Sequence, residues 1–319
     1  MKIFKYIRII LLICIVAIIL LLSVIYINHK IHLSKEDALF IPTGQMVEVN
    51  GHDMHIYSEG EGDKTLVFMS GGGTSSPVLD FKSLYSLLST NHKIVVVEKA
   101  GYGFSEIADI DRDIDTILSE TREALSKSGI DGPYILCPHS MSGIEALYWA
   151  QNYPNEVRAI IGLDMAVPDS YQVYDINIPM LKMSALGARL GITRWIPGIE
   201  ESDAIRFGSL TEEEKELYRV VFYRRTASST MINEVEEIKD NARKVKENGI
   251  PDIPFLIFSS NGEGTGWDES TWINLQEDFV NRVEDGTLIK LDSPHYIHNY
   301  EYEKIAKEID NFTRRKFND

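Results

Sequence analysis

Cysteine is nearly absent from the 319 residues, with only Cys14 inside an apolar run and Cys137 deep in the chain, which excludes a disulfide framework and a four-cysteine zinc site. The histidines carry no metal signature. His52 with His55, and His295 with His298, share an i, i+3 spacing, but no Glu-rich helix surrounds either pair, so surface or catalytic roles suit them better than zinc. Basic charge is also scarce. Lys plus Arg number 32 against 48 Asp plus Glu, and the formal charge of -16 repels phosphate backbones, which argues against nucleic acid as a partner. There is no internal repeat, no Pro-rich or Ser-rich linker and no low-complexity tract. What is present, 44% hydrophobic and 25% charged residues, is the balance of a globular protein with a full core and rules out disorder as the main state.

One long apolar run stands out. Residues 9–27 carry no charge and are nearly all Ile, Leu and Val. At about 1.5 Å rise each they nearly match a hydrocarbon core of ~30 Å, so the run predicts a transmembrane helix. A secretory signal has a shorter apolar region of about 7 to 15 residues and a small-residue cleavage site, which is missing after Tyr26. Lys2, Lys5, Arg8 and the terminal amine precede the run against Lys30 and Lys35 after it, a bias toward a cytoplasmic N-terminus with the rest of the chain outside.

Beyond the run the pattern alternates. Apolar or β-branched stretches at 46–49, 55–58, 65–69, 93–97, 134–137, 157–163, 255–258 and 287–291 predict eight strands, and helical periodicity covers 79–88, 114–126, 143–153, 272–283 and 303–317. Strands separated by helices predict a mostly parallel sheet covered on both faces, with an opening antiparallel hairpin turned at Asn50-Gly51. Between 165 and 253 there are helical segments and no convincing strand, the signature of an inserted helical cap. The organisation expected is therefore a basic tail (1–8), a membrane helix (9–27), a linker (28–44), an α/β core (45–164 and 254–319) and the cap (165–253). Met180, Leu181, Met183, Leu186, Leu190, Trp195 and Ile196 make the first half of the cap apolar, either as the cap's own core or as the lining of a substrate pocket.

The strand ending at Cys137 runs through Pro138-His139-Ser140-Met141-Ser142-Gly143 into a helix, and this turn resembles the nucleophile elbow of the α/β-hydrolases. Three further segments fit the same family in order. Leu66 to Gly73 resembles its strand and oxyanion loop, with Ser70 in place of the customary histidine; Glu98-Lys99-Ala100-Gly101-Tyr102-Gly103-Phe104-Ser105 is similar to its acidic-x-x-Gly-x-Gly-x-Ser segment; Asp292-Ser293-Pro294-His295 lies where it carries its catalytic histidine. The resemblance spans about residue 46 to the C-terminus. It implies Ser140 as nucleophile, His295 as base and then acid, and the amides of Gly72 and Met141 as oxyanion donors. His139 would take no part in proton transfer, and His298 is expected at a helix start or on the surface.

The third member of the triad is open at this level. The family's usual acid follows the strand at 255–258, where this chain reads Gly262-Glu263-Gly264-Thr265, while some members, haloalkane dehalogenases among them, place it one strand earlier, where Asp164 stands. Asp164 is favoured because it ends a strand beside that of the nucleophile. Glu263 lies among glycines that would hold its side chain poorly, and Asp268 suits a helix cap. The resemblance implies a carboxylesterase or lipase-like serine hydrolase with no cofactor, acting on a small-molecule ester or acyl substrate and meeting the membrane through its N-terminal helix; it sets no oligomeric state. A serine at 140 excludes the aspartate nucleophile of the dehalogenases, and Gly71-Gly72-Gly73-Thr74 lacks the proline of the proline iminopeptidase loop. The reading from a different class is a membrane-tethered binding or sensor protein with little turnover.

Overall fold

The computed structural model describes residues 2–172 and 174–317. In chain order the elements are α1 (Lys2–Glu36), β1 (Gln45–Val49), β2 (His52–Glu59), β3 (Thr65–Met69), α2 (Pro77–Asp80), α3 (Lys82–Leu88), β4 (Lys93–Glu98), α4 (Ile114–Lys127), β5 (Tyr134–Pro138), α5 (Ser142–Asn152) and β6 (Val157–Leu163). Then come α6 (Ile178–Leu190), α7 (Asp203–Arg206), α8 (Glu212–Arg225), α9 (Ser229–Glu247), β7 (Phe255–Ser259), α10 (Glu269–Val280), β8 (Gly286–Lys290), α11 (Ile297–Tyr300) and α12 (Tyr302–Phe317). All eight strands form one sheet in the order β1-β2-β4-β3-β5-β6-β7-β8. β1 and β2, and β2 and β4, pair antiparallel, and every later pair is parallel.

Strand periodicity sorts the core into two layers. In β3 and β4, Val67, Met69, Val95 and Val97 face a cluster with α4 and α5, while Leu66, Phe68, Ile94 and Val96 face α3 and α12. Because both faces are covered, the inner strands read as unbroken apolar runs. The hairpin between β1 and β2 turns as expected, with Asn50 at φ 51° and Gly51 at φ 82°, the pair of left-handed residues that a two-residue turn of matching twist requires. The expected helix at 79–88 is two pieces, α2 and α3, joined at Phe81, which is fully buried beside Phe68 and His298.

Two histidines assigned to surface or catalytic roles have neither. His52 and His55 are buried under β2, where His55 Nδ1 lies 2.9 Å from a Glu98 oxygen and its Nε2 accepts the Gly44 amide at 2.8 Å. Glu98 also accepts the Phe104 amide at 2.7 Å. A Cβ on Gly103 would come within 1.9 Å of that carboxylate, so the glycine-rich segment after β4 is shaped by a buried acid and performs no chemistry.

The tail and linker are also revised. α1 is continuous from Lys2 to Glu36, so it takes in residues 2–8 of the expected basic tail and the first nine residues of the expected linker. It is long and apolar enough to cross a membrane, and its residues 3–21 are all exposed. Its C-terminal turns dock on the segment between β6 and β7. The Arg194 guanidinium forks onto Glu36 at 2.7 and 2.8 Å, donates to His29 Nδ1 at 2.9 Å and lies 4.0 Å from the Tyr223 ring. Arg224 donates to the Leu33 carbonyl and to Asp37. Gly191, at φ 82°, abuts His29 so closely that a Cβ would come within 2.3 Å of it. No glycine or proline interrupts residues 28–36, and these contacts hold the His29 and Glu36 side chains, so the helix continues past the apolar run.

Candidate active site

Ser140 lies in the turn from β5 into α5 with φ 54°, in the left-handed region that costs a residue with a Cβ about 1–2 kcal/mol. The turn closes because its neighbours are small. A Cβ on Gly71 would come within 2.6 Å of the Ser140 Cβ, and one on Gly143 within 2.3 Å of the Ala166 carbonyl oxygen. Ser142 Oγ, 2.7 Å from the Met69 carbonyl oxygen and 2.9 Å from that of His139, ties the elbow to the ends of β3 and β5. Strain held in place by such over-determined surroundings is how a side chain is presented at a sheet edge.

Three side chains converge there from three separate connections. His295, after β8, brings Nε2 to 2.8 Å from Ser140 Oγ, and its Nδ1 lies 2.6 Å from Asp164 Oδ2. Asp164 directly follows β6, is fully buried and has φ 52°, a conformation aspartate tolerates better than most residues. Its other oxygen, Oδ1, accepts from the Ser260 amide at 2.7 Å, Trp272 Nε1 at 2.8 Å and Gln276 Nε2 at 3.3 Å. A carboxylate only accepts, so the His295 proton resides on Nδ1 and Nε2 is left free to take one from Ser140. Trp272, Gln276 and Ser260 carry no sequence mark that singles them out; they are found only because α10 and β7 lie beside β6.

The rival carboxylates are elsewhere. The Glu263 side chain is exposed, and only its backbone carbonyl reaches the histidine, accepting the His295 amide at 2.8 Å. Asp268 caps α10, accepting from the Thr271 amide at 3.0 Å and the Ser270 hydroxyl at 2.6 Å, and these bonds hold its carboxyl down at about 2.

No protein-family profile matches the chain. An uncharacterised protein of Bacillus subtilis (strain 168), YbdG, is 39% identical over 307 residues, 94% of each chain. Among solved structures, Cfl2 from Burkholderia cenocepacia superposes with a TM-score of 0.64 at 18% identity, over 84% of this chain and 94% of its own. An epoxide hydrolase of Bacillus megaterium gives 0.63 at 15%, over 85% and 100%. A haloalkane dehalogenase loop variant from Bradyrhizobium elkanii gives 0.60 at 16%, over 84% and 95%. The chain has the α/β-hydrolase fold. It also belongs with YbdG, whose likeness runs nearly end to end.

Against that fold, the departures in this hydrolase-fold elbow have local reasons. Pro138 replaces a glycine where the β5–β6 pairing is already interrupted, between Leu136↔Ile160 and the bridge His139↔Leu163, so its missing N–H falls in a gap. His139 is buried, its ring 4.5 Å from that of His295 and its Nε2 3.2 Å from the His295 carbonyl oxygen. Burial first, and then the neighbouring His295 and His298, hold it well below the ordinary histidine value, so it stays neutral and packs under the His295 ring. His298 is not at the surface as expected. It is fully buried with Nε2 2.7 Å from Asp80 Oδ2, because α11 turns inward onto Phe81.

A cavity of about 540 Å³ opens beside Ser140 and His295, with Gly72 and Met141 in its wall. The amides of Gly72 and Met141 donate to no protein acceptor among the described residues. The glycine loop after β3 is steadied one residue on, where the Gly73 amide bonds to the Tyr102 phenol, which itself donates to Glu234 of α9 at 2.9 Å. Of the apolar residues of the segment between β6 and β7, Met180 and Leu181 line this cavity together with Tyr171, Tyr174 and Val235. Leu186 and Trp195 do not. They are 57% and 60% exposed and belong to no core, and Leu186 lines instead a recess beside α1.

Proposed function

We propose that the protein is a serine hydrolase that cleaves a small-molecule ester through an acyl-enzyme. The observation that carries this reading is the relay Asp164–His295–Ser140, with its 2.6 and 2.8 Å contacts. Ser140 Oγ attacks the ester carbonyl carbon as His295 Nε2 takes its proton. Asp164 holds the Nδ1 tautomer and stabilises the imidazolium. The carbonyl oxygen, now negative, is received by the amides of Gly72 and Met141, a contribution of about 3 to 4 kcal/mol for each such donor. Collapse expels an alkoxide, which His295 protonates. Water then enters by the reverse route, its proton passing to His295, and the acid is released with Ser140 restored. The similar structures are named for carbon–halogen and epoxide cleavage, whereas a serine at the elbow favours an acyl intermediate that water can discharge.

A fluorophosphonate probe should label the wild-type protein on Ser140, and a panel of chromogenic esters should be turned over with a preference for acyl chains that fill the cavity. Neither labelling nor turnover of any ester would leave a binding or sensor protein as the reading.

The placement proposed for this site is outside the cytoplasm, with α1 as a membrane anchor, on the strength of its exposed apolar length and the basic residues before it. The protein should remain in the membrane fraction after a carbonate wash, and protease added to intact cells should digest it. Full protection in intact cells with digestion after lysis would reverse the orientation.

A further inference from the structure

α6 runs between two cavities. At its N-terminal end Met180 and Leu181 line the cavity with Ser140. At its C-terminal end Gly191 abuts His29, and Leu186 lines a recess with Tyr26 and Lys30 of α1. Along α6 the side chains of Met180, Met183 and Leu186 are 65, 74 and 57% exposed and fall within roughly a third of the helix circumference. Three large apolar side chains in a row on one helix, facing outward, need a cover.

Their position says which one. Tyr26 and Lys30 close the apolar run of α1, the aromatic and basic pair that settles at the headgroup level of a bilayer. The recess that Leu186 lines is shared with Tyr26, His29 and Lys30, so this end of α6 lies beside the end of the apolar run of α1. The Arg194–Glu36 fork and the Arg224 contacts keep α1 from swinging away as a free tether. Arg189 and Lys30 line the same recess, two cations available to lipid phosphates. The formal charge of -16 gives the rest of the surface no attraction to an anionic membrane, so apolar burial next to the anchor must supply the contact.

We infer that α6 lies in the membrane interface with Met183 and Leu186 among the lipids, and that the substrate is a membrane-resident ester whose acyl chain reaches Ser140 from the bilayer along this helix. The inference rests on the proposed serine hydrolase and on α1 as its anchor.

The test uses the full chain in phosphatidylcholine vesicles. In a Cys14→Ser background, Met183→Cys, Leu186→Cys and, as a control on exposed α8, Glu212→Cys each carry an environment-sensitive fluorophore; Cys137 is buried and unreactive. The labels at 183 and 186 should shift to the blue and be quenched by brominated lipid, and the label at 212 should do neither. A double variant, Met183→Asp with Leu186→Asp, should keep its turnover of a soluble short-chain ester and lose about tenfold on a long-chain ester carried in the vesicles. Labels at 183 and 186 as wet as that at 212 overturn the inference, as do labels that are dry but unquenched by bromine, which would assign the face to a second copy. Equal loss on both esters overturns it too. A wild-type protein that turns over neither ester sinks the hydrolase reading instead, and the bromine quenching still reports separately on where α6 lies.

Discussion

Ser140→Ala should abolish fluorophosphonate labelling and lower ester turnover by roughly six orders of magnitude, the scale on which serine and histidine act as one catalytic unit. The expectation follows from geometry. With Oγ removed, no other hydroxyl lies within hydrogen-bond reach of His295 Nε2 among the described residues. Alanine retains the Cβ, so the left-handed turn at position 140 changes little and the thermal midpoint should hold. His295→Ala should lose nearly as much, and the double variant no more than either single one. Turnover of Ser140→Ala equal to wild type would place the nucleophile elsewhere.

Asp164→Asn should cost about 10⁴-fold in kcat. Three donors, from Ser260, Trp272 and Gln276, point at Oδ1. An asparagine would turn its carbonyl oxygen toward them and its amide toward His295, where the carboxylate now accepts from Nδ1. Imidazole would then carry its proton on Nε2, face Ser140 as a donor and fail as a base. Glu263→Gln should leave the rate near wild type, since only the backbone of that residue touches His295. Asp268→Asn should also be nearly silent, because asparagine caps a helix as well as aspartate does. Steady-state kinetics on the three variants, each with a thermal midpoint, decide the matter. A collapse in Glu263→Gln with a near-normal Asp164→Asn would assign the acid to the turn after β7.

What could be read in advance was local. Alternation in 93–97 places Val95 and Val97 on one face and Ile94 and Val96 on the other, and Asn50-Gly51 specifies its own turn, since both signals arise between residues a few positions apart. The Ser140 elbow was legible for the same reason, as its small neighbours adjoin it in the chain. The burial of His52, His55 and His298 was not. His55 and His298 are each held by an acid from another element, Glu98 and Asp80, His52 packs 3.7 Å from Glu120, and no spacing within the histidine's own segment reports it.

The sequence by itself determined the order of strands and helices along the chain, the apolar length of α1 and Ser140 and His295 as the candidates for nucleophile and base, because periodicity, turn chemistry and hydrophobic length act over a few residues. Only the tertiary structure decided that Asp164 meets His295 across 131 positions while Glu263 turns outward, that α1 runs on to Glu36 against Arg194, and that Leu186 lies beside α1 and not in the cavity with Ser140. Those outcomes depend on which strand lies beside which in the sheet and on which helix face finds a partner, relations between distant segments that appear only once the layers are packed.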